Sequence, residues 1–333
     1  MVIALANQTV AFLNDQKTVS KSFYNFFLGR SQTVGKACVC HHSTIIAVSG
    51  TRRHSRVADI WLRLVRDKSA VVSLVLLGII ILLAIFADVL FDKSAITTQN
   101  IDLRNCPPSW EHWFGTDLYG RDIFIRMVFG SRVSLLIGIV TMVASMVIGG
   151  LLGAVAAYFG KTTDSIIMRL TDMFMAIPET LLALCVVAAM GASAVSLIVA
   201  MTVACVPGNC RLVRSTVLSI VDAEYVEAAR ACGMSDLQII VKEIIPNCLG
   251  PIIVVSTQGI AGIMLTASSL SYLGMGIQPP NPEWGAMISE AREFLRSAPY
   301  TCIIPGIVIV LTALSFNLLG DGLRDAMDPR LKD

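Results

Sequence analysis

Long uncharged apolar runs constrain the fold of this chain more than any other feature. A helix needs about 20 residues, at about 1.5 Å per residue, to cross about 30 Å of hydrocarbon. Four runs have roughly that length or more: residues 69–87, 133–159, 250–278 and 297–320. Hydrophobic residues make up 55% of the chain and charged residues 15%, a balance outside the usual range of soluble globular proteins. The sequence therefore predicts an all-α, polytopic membrane helical bundle.

Residues 180–210 decide between five spans and six. This run carries no charge, and it is too long for one untilted span but too short for two spans with a connector. If the first of two helices begins near residue 166, the run divides at residues 191–193 and the total becomes six. Asp172 and Glu179 then lie at or near membrane depth, where we expect them to project into the cytosol or to face a water-filled cavity. The predicted spans are about 69–90, 131–159, 166–190, 193–212, 250–276 and 299–320.

The distribution of positive charge favours six spans. With the N-terminus inside, fifteen Lys and Arg residues flank the inner ends of the spans and seven lie in the outer loops. The positive-inside rule then predicts a multi-pass protein of the cytoplasmic (inner) membrane with both termini in the cytosol. The outer loop after the first span is residues 91–130, and residues 213–249 form a cytosolic loop. The net charge of +2 is too small to indicate nucleic-acid binding.

The cytosolic loop begins with the signals of a short helix. Asp222 is predicted to be the N-cap of a helix that contains Tyr225, Val226, Ala228 and Ala229. Gly233 is predicted to adopt the left-handed conformation that ends this helix, because residues with a Cβ resist it. The pattern therefore indicates a helix that stops at a glycine corner.

A second helix is predicted immediately after that corner. Ser235 and Gln238 have the spacing of a capping box. Pro246 has no amide hydrogen to donate, so it marks either the end of the second helix or a kink at the start of the next span. Such capping signals also occur in ordinary connectors between membrane helices, because they are common at helix starts.

The first 66 residues show no sustained hydrophobic period. We predict a largely unstructured cytosolic extension, followed by a transmembrane domain over residues 67–333. Residues 29–36, GRSQTVGK, are superficially similar to a phosphate-binding loop. However, five residues separate the glycines instead of four, and Ala37 stands where Ser or Thr should hold magnesium. We therefore expect no nucleotide binding by this chain.

A short group of soft metal ligands lies in the same extension. The group lacks a second ligand pair at a defined distance, so an unstructured tail is favoured over a metal site. We accordingly predict no bound metal or other cofactor. The ligands in question are Cys38, Cys40, His41 and His42.

The predicted outer loop contains a compact polar motif, WFGTDLYGRDIF, at residues 113–124. Its glycines allow tight turns, and its charged residues can pair with one another. No histidine or nucleophile accompanies the two carboxylates within the motif, so a salt-bridged loop is favoured over a catalytic site. The motif residues are Gly115, Thr116, Asp117, Gly120, Arg121 and Asp122.

Two glycines four residues apart lie in the second predicted span. Gly149 and Gly153 have the spacing that allows two helices to approach closely. The close approach serves packing either within the bundle or against a partner subunit, and we expect the former.

Several segments together resemble one transporter family. Glu227-Ala228-Ala229, followed by Gly233 and Pro246, resembles the EAA loop of importer-type ABC transporter permeases. Residues 113–124 resemble the GTD-x-x-GRD segment of peptide and nickel permeases. Residues 273–285 and 316–329 are similar to an outer loop and the C-terminal signature of the same subfamily. The matches extend from about residue 69 to the C-terminus, and the chain as a whole resembles the dipeptide permease C type.

This resemblance implies a fold and an assembly. The fold is the type I importer permease bundle of six transmembrane helices, embedded in membrane lipid. The implied partners are a homologous permease subunit that completes a heterodimer, two cytosolic ATP-binding subunits and an extracytoplasmic substrate-binding protein. ATP and Mg are used by the ATP-binding subunits, so no catalytic residue is predicted here. The EAA loop is expected to contact those subunits, with Glu227 making a charged contact.

The cargo implied by the resemblance is a di- or oligopeptide, with nickel or a metal chelate as the alternative. His112 is the one histidine of four that is predicted to lie outside, and none lies in a span, which favours peptide over a bare metal ion. Asp172, Glu179 and Asn317 are candidates to line the translocation path. A channel or signalling protein could also have six spans, but no filter-like segment or charged ring is found.

Overall fold

The computed structural model describes residues 56–327, with side chains from residue 60 onward. The predictions made for residues 29–36, for the Cys/His group of residues 38–42 and for residues 328–333 lie outside the described residues. Within the described range the chain forms eleven α-helices, joined by turns and loops of which the longest is residues 91–122. These are α1 (Arg56–Leu64), α2 (Lys68–Leu90), α3 (Ile123–Phe159), α4 (Lys161–Met175), α5 (Glu179–Met190), α6 (Ala194–Leu218), α7 (Glu224–Ala231), α8 (Asp236–Ile239), α9 (Ile245–Tyr272), α10 (Trp284–Ala291) and α11 (Tyr300–Met327).

Five helical segments of the described chain are long and apolar enough to cross a membrane. They are α2, α3, α6, the continuous helical segment Asp236–Tyr272 and α11. Helices α4 and α5 meet the same test only as a pair, and the pair is bent by 83°. Counting this pair as one span gives the six that the charge distribution favours.

The bent pair corrects the prediction of one continuous span over residues 166–190. Helix α4 ends at Met175 and α5 begins at Glu179. Pro178 accounts for the break, because it has no amide hydrogen and disfavours a helical conformation in the residue before it. The third span is therefore two helices of different direction.

Two other predicted boundaries also move. Helix α3 begins at Ile123 rather than near residue 131, because the Oδ1 atom of Asp122 accepts a hydrogen bond from the amide of Ile125 at 3.1 Å. The loop predicted over residues 91–130 therefore ends at Asp122. Helix α6 continues to Leu218, and α9 begins at Ile245, so the loop predicted over residues 213–249 is shorter at both ends.

Helix α1 occupies part of the region that was predicted to be unstructured. Leu64 is 5% exposed and packs with Ala70 of α2 and Ala326 of α11. These contacts attach α1 to the first and last long helices. The prediction of unstructured chain up to residue 66 is therefore wrong from Arg56 onward, because this part finds apolar partners in the bundle.

Helix α3 is the centre of the bundle. It packs along α6 and also contacts α2, α4, α9 and α10. A Cβ atom on Gly149 would lie 2.7 Å from the carbonyl oxygen of Val206, and one on Gly153 would lie 2.9 Å from the backbone nitrogen of Arg214. Both neighbours belong to α6. The two glycines therefore serve packing within the bundle, as predicted.

Replacement of Gly149 by Ala should destabilise the fold. The added methyl group has no room between α3 and the backbone of α6, so we expect the free energy of unfolding to fall by about 1–3 kcal/mol. Gly150→Ala is the matched control, because its nearest foreign atom, Val213 Cγ2, is 3.6 Å away. Thermal unfolding of the purified proteins in detergent compares the two. Equal midpoints for both variants would contradict this account of the α3–α6 contact.

Candidate functional site

Residues 222–247, the EAA segment, form two short helices around a glycine. Gly233 has φ +81°, the left-handed conformation predicted for it. Its amide donates to the carbonyl of Arg230 at 3.1 Å, and the amide of Met234 donates to the carbonyl of Ala229 at 3.2 Å. This pair of bonds is the Schellman arrangement, which satisfies the last carbonyls of α7.

The start of α7 differs from the prediction. Ala223, and not Asp222, occupies the N-cap position, and no side chain caps the helix. Asp222 lies one residue before the N-cap, the position from which a side-chain oxygen accepts hydrogen bonds from the first free backbone amides of a helix. Glu224 and Glu227 lie in the first turn instead, where negative charge is favourable beside the helix N-terminus.

The second helix begins as predicted. Ser235 and Gln238 form a complete capping box, with each side chain accepting from the other's backbone amide. After α8 the backbone widens into a π-helical turn over Ile240–Ile244 and continues directly into α9. Pro246 lies in the first turn of α9, where a missing amide hydrogen costs little. It therefore marks the start of the next long helix and not the end of the segment.

Buried apolar side chains fix the EAA segment to the bundle. Val226 is 1% exposed, and Ile239 and Ile244 are fully buried. They belong to one cluster with Ala154 of α3 and Val213 of α6. The EAA segment is therefore packed directly against the two helices at the centre of the bundle.

A polar contact adds to this attachment. The hydroxyl of Tyr158, near the end of α3, donates to Oδ1 of Asp236 at 2.6 Å. The guanidinium of Arg230 lies 5.5 Å from the centroid of the Tyr158 ring, within the range of a cation–π contact. Tyr158 thus contacts both short helices of the segment at once.

The opposite side of the EAA segment is open to solvent. Glu227, Ala228, Gly233 and Pro246 are exposed, and Ala229 is half-buried. No foreign heavy atom would lie within 4 Å of a Cβ on Gly233. The five residues singled out in the sequence therefore lie on or beside a surface that a partner could contact.

The motif at residues 113–124 is a tightly folded loop. Gly115 and Gly120 have φ +77° and +73°, which a residue with a Cβ adopts only with strain. The Thr116 hydroxyl donates to the carbonyl of Leu103 and accepts from the amide of Cys106 at 2.9 Å. The motif is thereby tied to the preceding part of the same loop.

Four buried charges, Asp117, Arg121, Arg126 and Glu290, form what we call the four-charge cluster. The Oδ2 atom of Asp117 accepts from Arg121 Nε at 2.6 Å and from Arg126 Nη1 at 2.7 Å. The Oε2 atom of Glu290 accepts from Arg121 Nη2 at 2.7 Å and from Arg126 Nη1 at 3.0 Å. The side chains are 1% to 13% exposed. The formal charges cancel, as burial of ionised groups requires.

Among the charged residues of the motif, the expected pairing holds for Asp117 and Arg121 and does not hold for Asp122. Asp117 pairs with Arg121 as predicted, but Asp122 instead contacts Nδ1 of His112 at 2.8 Å and caps α3. Arg126 and Glu290 were not singled out. Glu290 is 169 residues from Arg121 along the chain, so no local spacing could have indicated the contact.

Helix α10 is held in place by two further buried residues. Both carboxylate oxygens of Glu283 accept backbone amides, from Gly285 at 2.9 Å and from Ala286 at 2.8 Å. The indole nitrogen of Trp284 donates to the carbonyl of Met127 on α3 at 3.0 Å. Glu290, at the other end of α10, joins the four-charge cluster. Helix α10 is therefore attached to the start of α3 along its whole length.

The three candidates for the translocation path do not form one group. Asp172 pairs with Arg211, and Glu179 accepts a hydrogen bond from Cys205 Sγ at 3.2 Å. Asn317 lies half-buried on α11. In the described part of the chain no hydrogen bond or ion pair joins it to either carboxylate. The structure brings Asp172 and Glu179 into contact with the same helix, α6, and leaves Asn317 on a different helix.

Two family models match this chain. The model described as "Binding-protein-dependent transport system inner membrane component" covers residues 149–333, which is more than half of the sequence. This chain belongs to that family. The model of the N-terminal TM domain of oligopeptide transport permease C covers residues 55–108 of this permease.

Curated relatives and solved structures agree with this assignment. The permease is 45% identical over 270 residues to a dipeptide transport system permease protein of Alkalihalophilus pseudofirmus, covering 81% of this chain and 88% of the relative. It is 42% identical over 274 residues to a glutathione transport system permease protein of Pectobacterium atrosepticum, covering 82% and 91%. The MetNI methionine ABC transporter, in inward-facing conformations, shares the fold with a TM-score of 0.51 at 18% identity, covering 61% of this chain and 96% of that chain.

The family and the fold together confirm the predicted class. The chain is a multi-pass permease subunit of an ABC importer family with the type I importer fold. It is a transport subunit and not itself catalytic.

Loss of the Glu290 carboxylate should destabilise the permease strongly. Glu290→Ala leaves Arg121 and Arg126 with only one carboxylate between them in a buried setting, which typically costs about 3–5 kcal/mol. Glu293→Ala, an exposed carboxylate three residues further on, is the control and should change the stability by about 0.5 kcal/mol or less. Thermal unfolding in detergent gives both values. If the two variants unfolded together, the four-charge cluster would not be the contact that holds α10.

Proposed function

We propose that this permease carries di- or oligopeptides across the cytoplasmic membrane into the cell, driven by ATP hydrolysis on separate subunits. The observation that carries the proposal is the anchored EAA segment, with a buried side packed on α3 and α6 and an open side at Glu227 and Ala228. A surface of this kind suits a partner that pushes on the bundle. Two ATP-binding subunits, which use ATP and Mg, are the proposed partners there.

The assembly needs two further components. A homologous permease subunit would complete a heterodimer around the path, and an extracytoplasmic binding protein would deliver the substrate. This arrangement requires both termini and the EAA segment to be cytosolic. The excess of Lys and Arg at the predicted inner ends supports that orientation.

The names of the relatives support peptide as the cargo. The relatives described above are a dipeptide and a glutathione permease, and others at 42% identity are named as peptide permeases. Glutathione is itself a small peptide. Nickel or a metal chelate is correspondingly not favoured.

The mechanism we propose is alternating access. When the ATP-binding subunits close, α7 and α8 move together because the Gly233 corner and the capping box hold them in one arrangement. Their buried contacts with Ala154 and Val213 pass the movement to α3 and α6. At the opposite end of α3, the four-charge cluster couples the same helix to α10. A single rotation of α3 can therefore close the inner opening while it widens the outer one, and the reverse.

Uptake by the complete assembly tests this proposal. We expect proteoliposomes that contain both permeases, the ATP-binding subunits and the binding protein to accumulate dialanine only when ATP is present on the cytosolic side. Nickel ions in place of dialanine are the control cargo and should not accumulate. Uptake of nickel without uptake of any peptide would overturn the peptide assignment and leave the family membership unaffected.

The coupling role of the EAA segment predicts a specific defect for Gly233→Val. A β-branched residue resists the left-handed conformation at this position, so the α7–α8 corner should distort and substrate-stimulated ATP turnover should be abolished. Membrane insertion should be normal, because the site is exposed and outside the spans. Gly233→Asn is the matched control, since Asn tolerates this conformation. Normal uptake in the Val variant would rule out a rigid lever at this corner.

A further inference from the structure

The break between α4 and α5 is an unusual feature for a membrane-spanning segment. Residues 172–180 are all exposed, and the two helices diverge by 83°. The end of one helix and the start of the next leave backbone carbonyls and amides without partners inside the helices. Such groups are not found against lipid in the hydrocarbon region, although they occur where the backbone lines a water-filled cavity or is buried in protein. The break is therefore expected to face the interior of the transporter.

The depth of the break follows from the packing of α5 along α6. Ala183 and Val187 of α5 share a buried cluster with Leu197 and Met201 of α6, so the two helices run antiparallel. Glu179, the first residue of α5, accepts a hydrogen bond from Cys205. Cys205 is eleven residues beyond the start of α6, which is about 16 Å of helix. In a hydrocarbon layer of about 30 Å, this places Glu179 near the middle of the membrane.

Glu179 has unused capacity for hydrogen bonding. In the described part of the chain its side chain accepts only the bond from the Cys205 thiol, at 3.2 Å. An ionised carboxylate offers about four acceptor positions. A carboxylate that is exposed at mid-membrane depth, with most of those positions free, marks a substrate or ion pathway by default.

A positive charge lies on the other side of the same break, closer to the inner end of α6. Arg211 is six residues beyond Cys205, which is about 9 Å along the helix. It forms an ion pair with Asp172, and the two side chains are 49% and 60% exposed. An ion pair this open can exchange its carboxylate for another one at little cost, because exposed pairs contribute little stability.

The neighbouring polar groups on α6 are already committed elsewhere. Arg214 forms a more enclosed pair with Asp164, with side chains 27% and 22% exposed. The amide of Asn209 donates to Ser145 Oγ of α3 at 2.9 Å. Among these groups, the Glu179 carboxylate and the Arg211 guanidinium are the opposite charges beside the break that can take a new partner. Glu179 accepts one thiol hydrogen bond, and the pair of Arg211 with Asp172 is exposed.

From this geometry we infer that Glu179 and Arg211 are the two ends of a substrate site in the translocation path, which takes a short peptide by its charged termini. Glu179 accepts the N-terminal ammonium group, and Arg211 exchanges Asp172 for the C-terminal carboxylate. Cys205, which Glu179 contacts, and Arg211 are about 9 Å apart along the axis of α6. This spacing suits a molecule of two to three residues, since an extended chain spans about 3.5 Å per residue. The inference rests on the proposed function, because it names the substrate groups that the path recognises.

The test uses the complete assembly in proteoliposomes, with the binding protein saturated with dialanine. The measured quantity is the number of peptides taken up per ATP hydrolysed. This ratio reports changes in the translocation path, because the binding protein is saturated and the rate of ATP hydrolysis is divided out. Glu179→Gln should lower this ratio about tenfold or more, the loss typical of one hydrogen bond to a charged group. Glu179→Asp should retain most of it. Arg211→Gln should show a similar loss and Arg211→Lys a smaller one.

One matched control removes a charge that the inference does not use, and a second variant tests the exchange at Arg211. Asp164→Asn removes a carboxylate of α4, the helix that also carries Asp172, and should leave the number of peptides per ATP unchanged. Asp172→Asn should also not lower the ratio, because it frees Arg211 for the carboxylate of the peptide.

A pH profile distinguishes substrate contact from a merely structural role. The N-terminal ammonium of a peptide has a pKa of about 8. Below that pH the wild-type ratio should exceed the Glu179→Gln ratio about tenfold or more, as one charged hydrogen bond predicts. The two should converge as the pH rises above 8 and the ammonium loses its proton. The binding protein contributes equally to both, so its own pH dependence cancels in the comparison.

The outcomes separate this inference from the proposed function. If the wild-type assembly takes up no dialanine under any condition, the peptide function fails. If the wild type transports dialanine and Glu179→Gln does so equally well per ATP at pH 7, the inference fails while the peptide function stands. If Glu179→Gln no longer co-purifies with the homologous permease, Glu179 is an interface contact and the inference is overturned.

Discussion

The close contact between α3 and α6 is the interaction on which the other features of this permease depend. Gly149 and Gly153 bring the backbones so close that a single Cβ atom would meet the opposite helix. The EAA segment packs on the inner part of this helix pair, and α5 packs along the other part of α6. A displacement of either helix therefore reaches both the proposed motor contact and the broken span beside it.

Buried charges connect the opposite end of α3 to α10. In the four-charge cluster two arginines and two carboxylates neutralise one another, and the bonds cross from the loop at residues 113–124 to α10. Buried pairs of this kind contribute little net stability over an apolar packing, but they are intolerant of losing one member. The contact is therefore better understood as one that specifies the position of α10 than as a source of stability.

Local sequence patterns predicted the EAA segment well and the broken span poorly. The Gly233 corner and the Ser235 capping box depend on residues within one or two turns of each other, so their spacing is enough to identify them. The assignment of Asp222 as N-cap missed by one residue because neighbouring residues compete for that position. The sequence contains Pro178, which can end a helix, but the 83° angle between α4 and α5 depends on how these two helices pack against α6.

The sequence by itself determined that this chain is an α-helical membrane protein, because hydrocarbon thickness sets the length of apolar runs. It also determined the corner and the capping box at residues 233–238, because capping patterns are local, while the permease assignment rests on the resemblance of several segments to one family. Only the tertiary structure decided which distant charges meet. Arg121 reaches Glu290 across 169 residues, and Glu179 reaches Cys205 across the turn between α5 and α6. Such contacts depend on the direction and register of packed helices, which side-chain volumes at many positions set together and no single stretch of sequence encodes.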